Sequence, residues 1–127
     1  MKIKLKVNEV LGLNNVLKSI IDNDKININV LLKFRLLGIM RSMESHISNF
    51  EIIKNEKIVE YGKETENGIF QISKDNTEGM EKFERDIKQV LDSEVLINID
   101  MLKPDEVFDK GLSSEYLMKL YPIIGEK

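Results

Sequence analysis

The side chains of this sequence that could catalyse reactions or bind metals do not form a recognisable catalytic or metal-binding motif. His46 is the only histidine, cysteine is absent, and the seven glycines form neither a GxGxxG nor a GxxxxGK phosphate loop. A lone imidazole needs carboxylate or thiolate partners at matching spacing to build a zinc site, and Glu44 and Glu51 point elsewhere on its predicted helix. No serine lies in a Gly-x-Ser-x-Gly elbow. The sequence therefore predicts a protein that is not an enzyme and that needs no metal and no cofactor.

Arginine is more informative because it is scarce, with three arginines against sixteen lysines. Arg35 and Arg41 lie on one predicted long helix and Arg85 lies on a second. If those helices pack antiparallel, Arg41 and Arg85 converge on one rim, where the guanidinium fork suits a phosphate or a carboxylate. Tyr61, Phe70 or Phe83 nearby could then stack on a base. We take Arg41, Arg85, Tyr61 and Phe83 as the candidate ligand-binding residues.

The competing interpretation of these arginines is that they face solvent and pair within their own helices. Glu81 precedes Arg85 by four residues, and Glu84 precedes Lys88 by four. An acid placed four residues before a base stabilises an exposed helix by about 0.3–0.5 kcal/mol. The sequence alone leaves both interpretations open.

The element that must position most of these residues is one long amphipathic helix from Asn29 to about Tyr61, closed by Gly62 in a left-handed C-cap. Its length of about 45 Å exceeds what a globule with a radius of gyration of about 14 Å can cover. Whether Ile58–Lys63 belongs to the helix or to a strand stays open. The predicted apolar stripe consists of Val30, Phe34, Leu37, Met40, Met43, Ile47, Phe50, Ile53 and Ile58.

Shorter helices are indicated by capping residues and 3.6-residue periodicity. The first begins after an Asn8 cap and runs to about Ile21, and the next runs from Thr77 to about Ser93. A short helix begins at Pro104 and extends through Phe108. The last, capped by Ser113 or Ser114, carries apolar residues at Leu117, Leu120 and Tyr121.

Strands are indicated by alternation of apolar and polar residues in Met1–Val7 and again in Val95–Met101. Asn67-Gly68 is a turn signal that tolerates positive φ, and it suggests a hairpin or a strand at Ile69–Ile72. Together the elements predict a single α+β domain over residues 1–127. One long helix and two or three shorter helices pack with a small, mainly antiparallel sheet built from these three segments.

Charge and hydropathy limit the kinds of partner that we expect for this chain. The net charge is −3 with both signs interspersed, so no basic face for duplex nucleic acid is visible. No run approaches the eighteen or so apolar residues that a membrane span requires, and the N-terminal alternation does not match a signal peptide. We expect a cytoplasmic protein that binds neither membranes nor duplex nucleic acid. Because the long helix cannot be covered by one chain, we expect a homodimer or a higher homo-oligomer.

Taken in order, the elements carry a recurring pattern: a basic N-terminal strand, the exit Tyr61-Gly62-Lys63, the segment Phe83 to Val95, and the helix Leu112 to Leu120. The chain is similar to a family of small proteins encoded by phages and prophages of Gram-positive bacteria. The resemblance covers most of the chain and carries over no functional residues. It implies a virus-borne accessory protein that acts in the host cytoplasm.

Within that context we expect stoichiometric binding to a host or phage protein. One alternative is an anti-defence sponge that sequesters a cyclic nucleotide or an ADP-ribose-type immune signal at an oligomer interface. A second alternative is a structural component used in virion assembly.

Overall fold

The computed structural model describes residues 2–125. The fold is α+β, as predicted. In chain order the elements are β1 (Lys2–Lys6), α1 (Val7–Asp22), α2 (Val30–Tyr61), β2 (Lys63–Glu64), β3 (Phe70–Gln71), α3 (Thr77–Leu91), β4 (Glu94–Asn98), α4 (Pro104–Val107) and α5 (Ser114–Lys119), followed by a 3₁₀ turn over Tyr121–Ile123.

The long helix predicted from the sequence is present as α2, and its 32 residues extend about 48 Å. Asn29 caps it, since its Oδ1 accepts a hydrogen bond of 2.7 Å from the Leu32 N–H. The helix ends at Tyr61 and Gly62 follows as its C-cap, but the predicted left-handed conformation is wrong because Gly62 has a φ of −102°. Glycine is needed here for close approach instead: a Cβ would lie 2.5 Å from the carbonyl oxygens of Gln71 and Ile58.

The predicted apolar stripe on α2 is wrong in its first three turns. Val30, Phe34 and Leu37 are exposed by 84%, 72% and 46%, respectively. The reason is geometric, because each step of three residues turns the helix by about 300° and falls about 60° short of a full turn. Successive three-residue steps therefore carried the stripe from one side of the helix to the other. The residues of α2 that face the core are Leu32, Leu36, Ile39, Met43 and Phe50.

The core lies between α1, α2, β4 and the C-terminal segment. Residues of α1 that are spaced three or four apart meet the core-facing residues of α2. The C-terminal part of the chain closes the other side, with Leu102, Val107, Leu120 and Ile123 fully buried. A backbone bond of 2.9 Å from the Leu102 N–H to the Ile123 carbonyl fixes the end of the chain to this core.

Two small antiparallel sheets replace the single sheet that was predicted. β1 pairs with β4, with Leu5 opposite Val95, and their inward residues complete the core. β2 and β3 form a separate hairpin, so the Ile69–Ile72 segment does not join the β1–β4 sheet. The Asn67-Gly68 turn closes this hairpin, with Gly68 at a φ of 75°.

The helix starts follow the predicted capping chemistry except at α1. The caps at Asn76 and Ser113 accept hydrogen bonds from the backbone of the first turn of α3 and α5. Asn8 does not cap α1, which already begins at Val7. There the Glu9 carboxylate accepts a 2.9 Å bond from the Lys6 N–H and satisfies the helix start instead.

Candidate functional site

Arg35 is a structural clamp and not a free binding group. Its Nε and Nη1 lie 3.0 Å and 2.9 Å from the carboxylates of Glu106 and Asp100, and its Nη2 donates a 2.9 Å bond to the Met101 carbonyl. The bonds to Arg35 hold the pKa of Glu106 below its usual range, and Glu106 in turn raises the pKa of Arg35. These contacts join α2 to the segment that leads into α4.

Tyr61 and Arg85 are brought together by Asp86 at the C-terminal end of α2. The Tyr61 hydroxyl donates a 2.5 Å hydrogen bond to the Asp86 carboxylate, and Arg85 lies 3.4 Å from the same side chain. Lys57 lies 3.8 Å from Asp86, with its Nζ 5.8 Å from the centre of the Tyr61 ring. The hydrogen bond raises the pKa of Tyr61 and lowers that of Asp86.

Arg41 is not part of that cluster. It lies sixteen residues before Lys57 on the same helix, and therefore about 24 Å away along the axis. The expected convergence of Arg41 with Arg85 is consequently wrong, because Asp86 holds Arg85 near Lys57 and Tyr61. Among residues 2–125, no carboxylate lies within ion-pair distance of Arg41. Whether any of these residues binds a ligand stays a prediction.

Helix α3 carries the fourth candidate, Phe83, in a half-buried position. The ion pairs predicted along this helix are replaced by others. Glu78 pairs with Lys82 at 3.0 Å, whereas Arg85 turns to Asp86 and away from Glu81. The Arg85 side chain is 61% exposed, so its contact with Asp86 is a weak surface pair.

Arg41 instead borders a cavity between α2 and the end of β4. The cavity has a volume of about 370 Å³, and its wall on the α2 side contains Phe34, Leu37 and Gly38. Asp100 lies opposite, already engaged by Arg35. An exposed aromatic ring and an arginine that forms no ion pair within residues 2–125 thus share one surface depression.

The side of α2 that points away from the core is exposed along the whole helix. At about 100° per residue, its large apolar residues fall within an arc of about 60° that lies opposite the buried residues. Within residues 2–125 these side chains stay exposed, because the core lies on the opposite side of α2. We call it the outer face, and it comprises Val30, Phe34, Leu37, Arg41, Ser48, Ile52, Asn55 and Val59.

A second exposed apolar surface is concave and lies at the C-terminal end of the chain. We call it the C-terminal groove. Its volume is about 430 Å³, within the size range of ordinary binding pockets. Met118 and Tyr121 form its rim and are 77% and 71% exposed. The groove is lined by Pro104, Phe108, Ser114, Leu117, Met118, Tyr121, Ile124 and Gly125.

The sequence pattern does not predict the rim of the groove, because it places Tyr121 on the apolar side of the last helix. The structure ends α5 at Lys119 and turns Tyr121 outward in the 3₁₀ turn, while Leu120 and Ile123 are buried. One signal was available: the run from Tyr116 to Ile124 has more apolar residues than one helical face can hold.

Residues 2–125 contain no group of three or more histidine, aspartate or glutamate side chains placed to hold a metal ion. None of the helices in this part of the chain combines the length and the apolar character that crossing a membrane requires.

No protein-family model, no curated protein and no solved structure matches this chain.

Proposed function

We propose that the protein is a non-enzymatic accessory protein of the phage type that binds another protein stoichiometrically in the host cytoplasm. The partner would be a host or phage protein that inserts an apolar segment into the C-terminal groove. The observation that carries the proposal is the composition of that groove: six of its eight lining residues are large apolar or proline side chains, and none is charged.

The physical character of the rim supports a protein partner. Aromatic residues and methionine are enriched in protein interfaces, whereas charged residues are depleted at their centres. Tyr121 offers a large rigid ring with a polar hydroxyl, and Met118 offers a flexible thioether that adapts to the shape of a partner. Leaving both exposed to water has no benefit for the folding of this chain.

The base of the groove is rigid, so little ordering would be needed on binding. Half-buried Leu117 and Ile124 form its floor, and the Gly125 N–H donates a 2.7 Å bond to the Leu102 carbonyl. Leu120 and Ile123 pack beneath it and are fully buried. A rigid apolar depression with an adaptable rim is the arrangement that a hot-spot side chain of a partner would occupy.

Affinity capture with matched variants tests this proposal. The Met118→Asp variant places a charge on the groove, whereas the Ile69→Asp control places one on the hairpin turn, where Ile69 is 58% exposed. We expect a partner from the host lysate to remain on the wild type and on Ile69→Asp at one copy per chain, and to be lost on Met118→Asp. Retention on Met118→Asp, or equal loss from both variants, would contradict the proposal.

The second candidate function is the nucleotide sponge, and the cavity beside Arg41 favours it. An exposed Phe34 ring could stack on a base while Arg41 takes a phosphate. Cyclic nucleotides and ADP-ribose should then raise the melting temperature of the wild type and of Arg85→Ala, but not of Arg41→Ala. Equal shifts in both arginine variants would exclude this cavity as the binding site.

A further inference from the structure

The outer face of α2 carries exposed large apolar residues toward both of its ends: Val30, Phe34 and Leu37 at the N-terminal end, and Ile52 and Val59 at the C-terminal end. From Val30 forward and from Val59 backward, its positions follow at steps of four, three and four residues. Val30 and Val59, Leu37 and Ile52, and the polar positions between them are all centred on the point between Glu44 and Ser45. The two ends are apolar except at Asn55, which corresponds to Phe34, and the middle is polar.

We propose that this face is the interface of a homodimer in which the α2 helices of two copies pack antiparallel. The two-fold axis passes between Glu44 and Ser45. The proposal is independent of the C-terminal groove, because it rests on a different surface.

In such a pair the apolar ends of one copy meet the apolar ends of the other. Val30 faces Val59 of the partner subunit, and Leu37 faces Ile52 of the partner subunit, each contact occurring twice by symmetry. Within each half of the face, the steps of four and three residues are those of the seam of a two-helix coiled coil, and one step of seven residues joins the halves. The seam from Val30 to Val59 is about 44 Å long, and it covers apolar side chains that the monomer leaves in water.

Charge also fits this arrangement. Long side chains on a helix point back toward the N-terminus of that helix. In the antiparallel pair, the Arg41 side chain therefore extends toward Glu51 of the partner subunit, and the side chain of that glutamate extends toward Arg41. The two make an ion pair on each side of the two-fold axis. A parallel pair would instead place Arg41 directly against Arg41 of the partner subunit.

The ends of α2 favour the same direction. The helix has no acidic residue in its first turn, and no basic residue in its last turn, to offset the macrodipole. Antiparallel packing places the negative C-terminal end of one helix beside the positive N-terminal end of the other. The polar central turns limit how much apolar surface is buried, so we expect a dissociation constant in the micromolar range.

Disulfide trapping tests the orientation, because the chain has no cysteine of its own. We expect Val30→Cys mixed with Val59→Cys to form a covalent dimer under mild oxidation, whereas either variant alone stays mostly monomeric. A mixture of Val30→Cys with Ser19→Cys, an exposed position on α1, is the control. Cross-linking of Val30→Cys alone as fast as the mixture, or a mixture no faster than the control, would overturn the proposal.

A charge exchange tests the ion pair by size-exclusion chromatography with light scattering, with circular dichroism to verify the fold. Arg41→Glu and Glu51→Arg should each shift the dimer to monomer at the same concentration, because like charges then face each other. The double variant should restore the dimer. A monomeric wild type at high micromolar concentration, or a double variant as monomeric as the single ones, would overturn the proposal.

Discussion

Removing Arg35 should weaken the whole fold, because this side chain joins the N-terminal half of α2 to the segment before α4. In Arg35→Ala the paired contacts to Glu106 and the bond to the Met101 carbonyl are lost, and these are charge-assisted bonds made by a side chain that is only 19% exposed. The contact with Asp100 adds little, because that carboxylate is 89% exposed. At about 1–2 kcal/mol for each of the two better-buried sets of contacts, the free energy of unfolding should fall by about 2–4 kcal/mol.

Urea unfolding followed by far-ultraviolet circular dichroism measures this loss, since the chain has no tryptophan. All variants should be compared at one protein concentration, because self-association would add to the apparent stability. Arg85→Ala is the matched control: this arginine also contacts a carboxylate but is 61% exposed, so its loss should cost no more than about 0.5 kcal/mol. Equal losses in the two variants would refute the assignment of Arg35 as a clamp.

The same pair of proteins should show a defined pH dependence. Hydrogen bonds from Arg35 and the Lys103 N–H lower the pKa of Glu106 in the folded state. Its ion pair therefore stabilises the fold above the unfolded-state value of about 4.3 and loses that effect as the pH falls through the lower folded-state value. The difference between the wild type and Arg35→Ala should shrink in this acidic range and stay constant near neutral pH.

Three further comparisons test the packing. Tyr61→Phe should lower the urea midpoint near neutral pH, because the hydrogen bond to Asp86 is lost. Since the pKa of Tyr61 is raised in the folded state, the stabilisation by its hydroxyl is lost as the pH rises through the folded-state pKa, and the difference in midpoint between the two proteins should disappear in alkali. Gly62→Ala should destabilise by about 1–3 kcal/mol, whereas Gly12→Ala, where a Cβ meets nothing within 4 Å, should stabilise by about 0.5–1 kcal/mol in the same urea titration. Leu36→Ala should cost about 2–5 kcal/mol and Leu37→Ala much less, since they are 0% and 46% exposed. Similar costs for the two leucines would contradict the orientation of α2.

The elements of the fold could be predicted from the sequence where a local signal was strong. The recurrence of apolar residues at steps of mostly three and four and the absence of proline up to Tyr61 were enough to identify α2, although not the side of it that is buried. Alternation identified β4, whose odd-numbered residues from Val95 onward turn inward. These features depend on near neighbours in the chain, so local chemistry determines them.

The orientation of α2 could not be predicted with the same ease, because the helix is apolar on two opposite sides in its first three turns. Leu32 and Leu36 face the core while Phe34 and Leu37 face solvent, and all four are equally apolar. Only the packing of α1 and β4 decides which side is buried. The distance between Arg41 and Arg85 could not be predicted for the same reason, since it depends on where α3 contacts α2 and not on either helix alone.

One physical cause connects the two exposed surfaces. Both α2 and the C-terminal segment carry large apolar residues beyond those that the core buries, among them Phe34 and Met118, so both leave apolar side chains in water. Exposed apolar surfaces of this kind promote aggregation unless a specific partner covers them. The two surfaces differ in shape in a way that separates their partners. On the two proposals made above, the straight outer face would pack against a second copy of this chain, whereas the concave groove with a methionine and a tyrosine on its rim would receive a protruding segment of another protein.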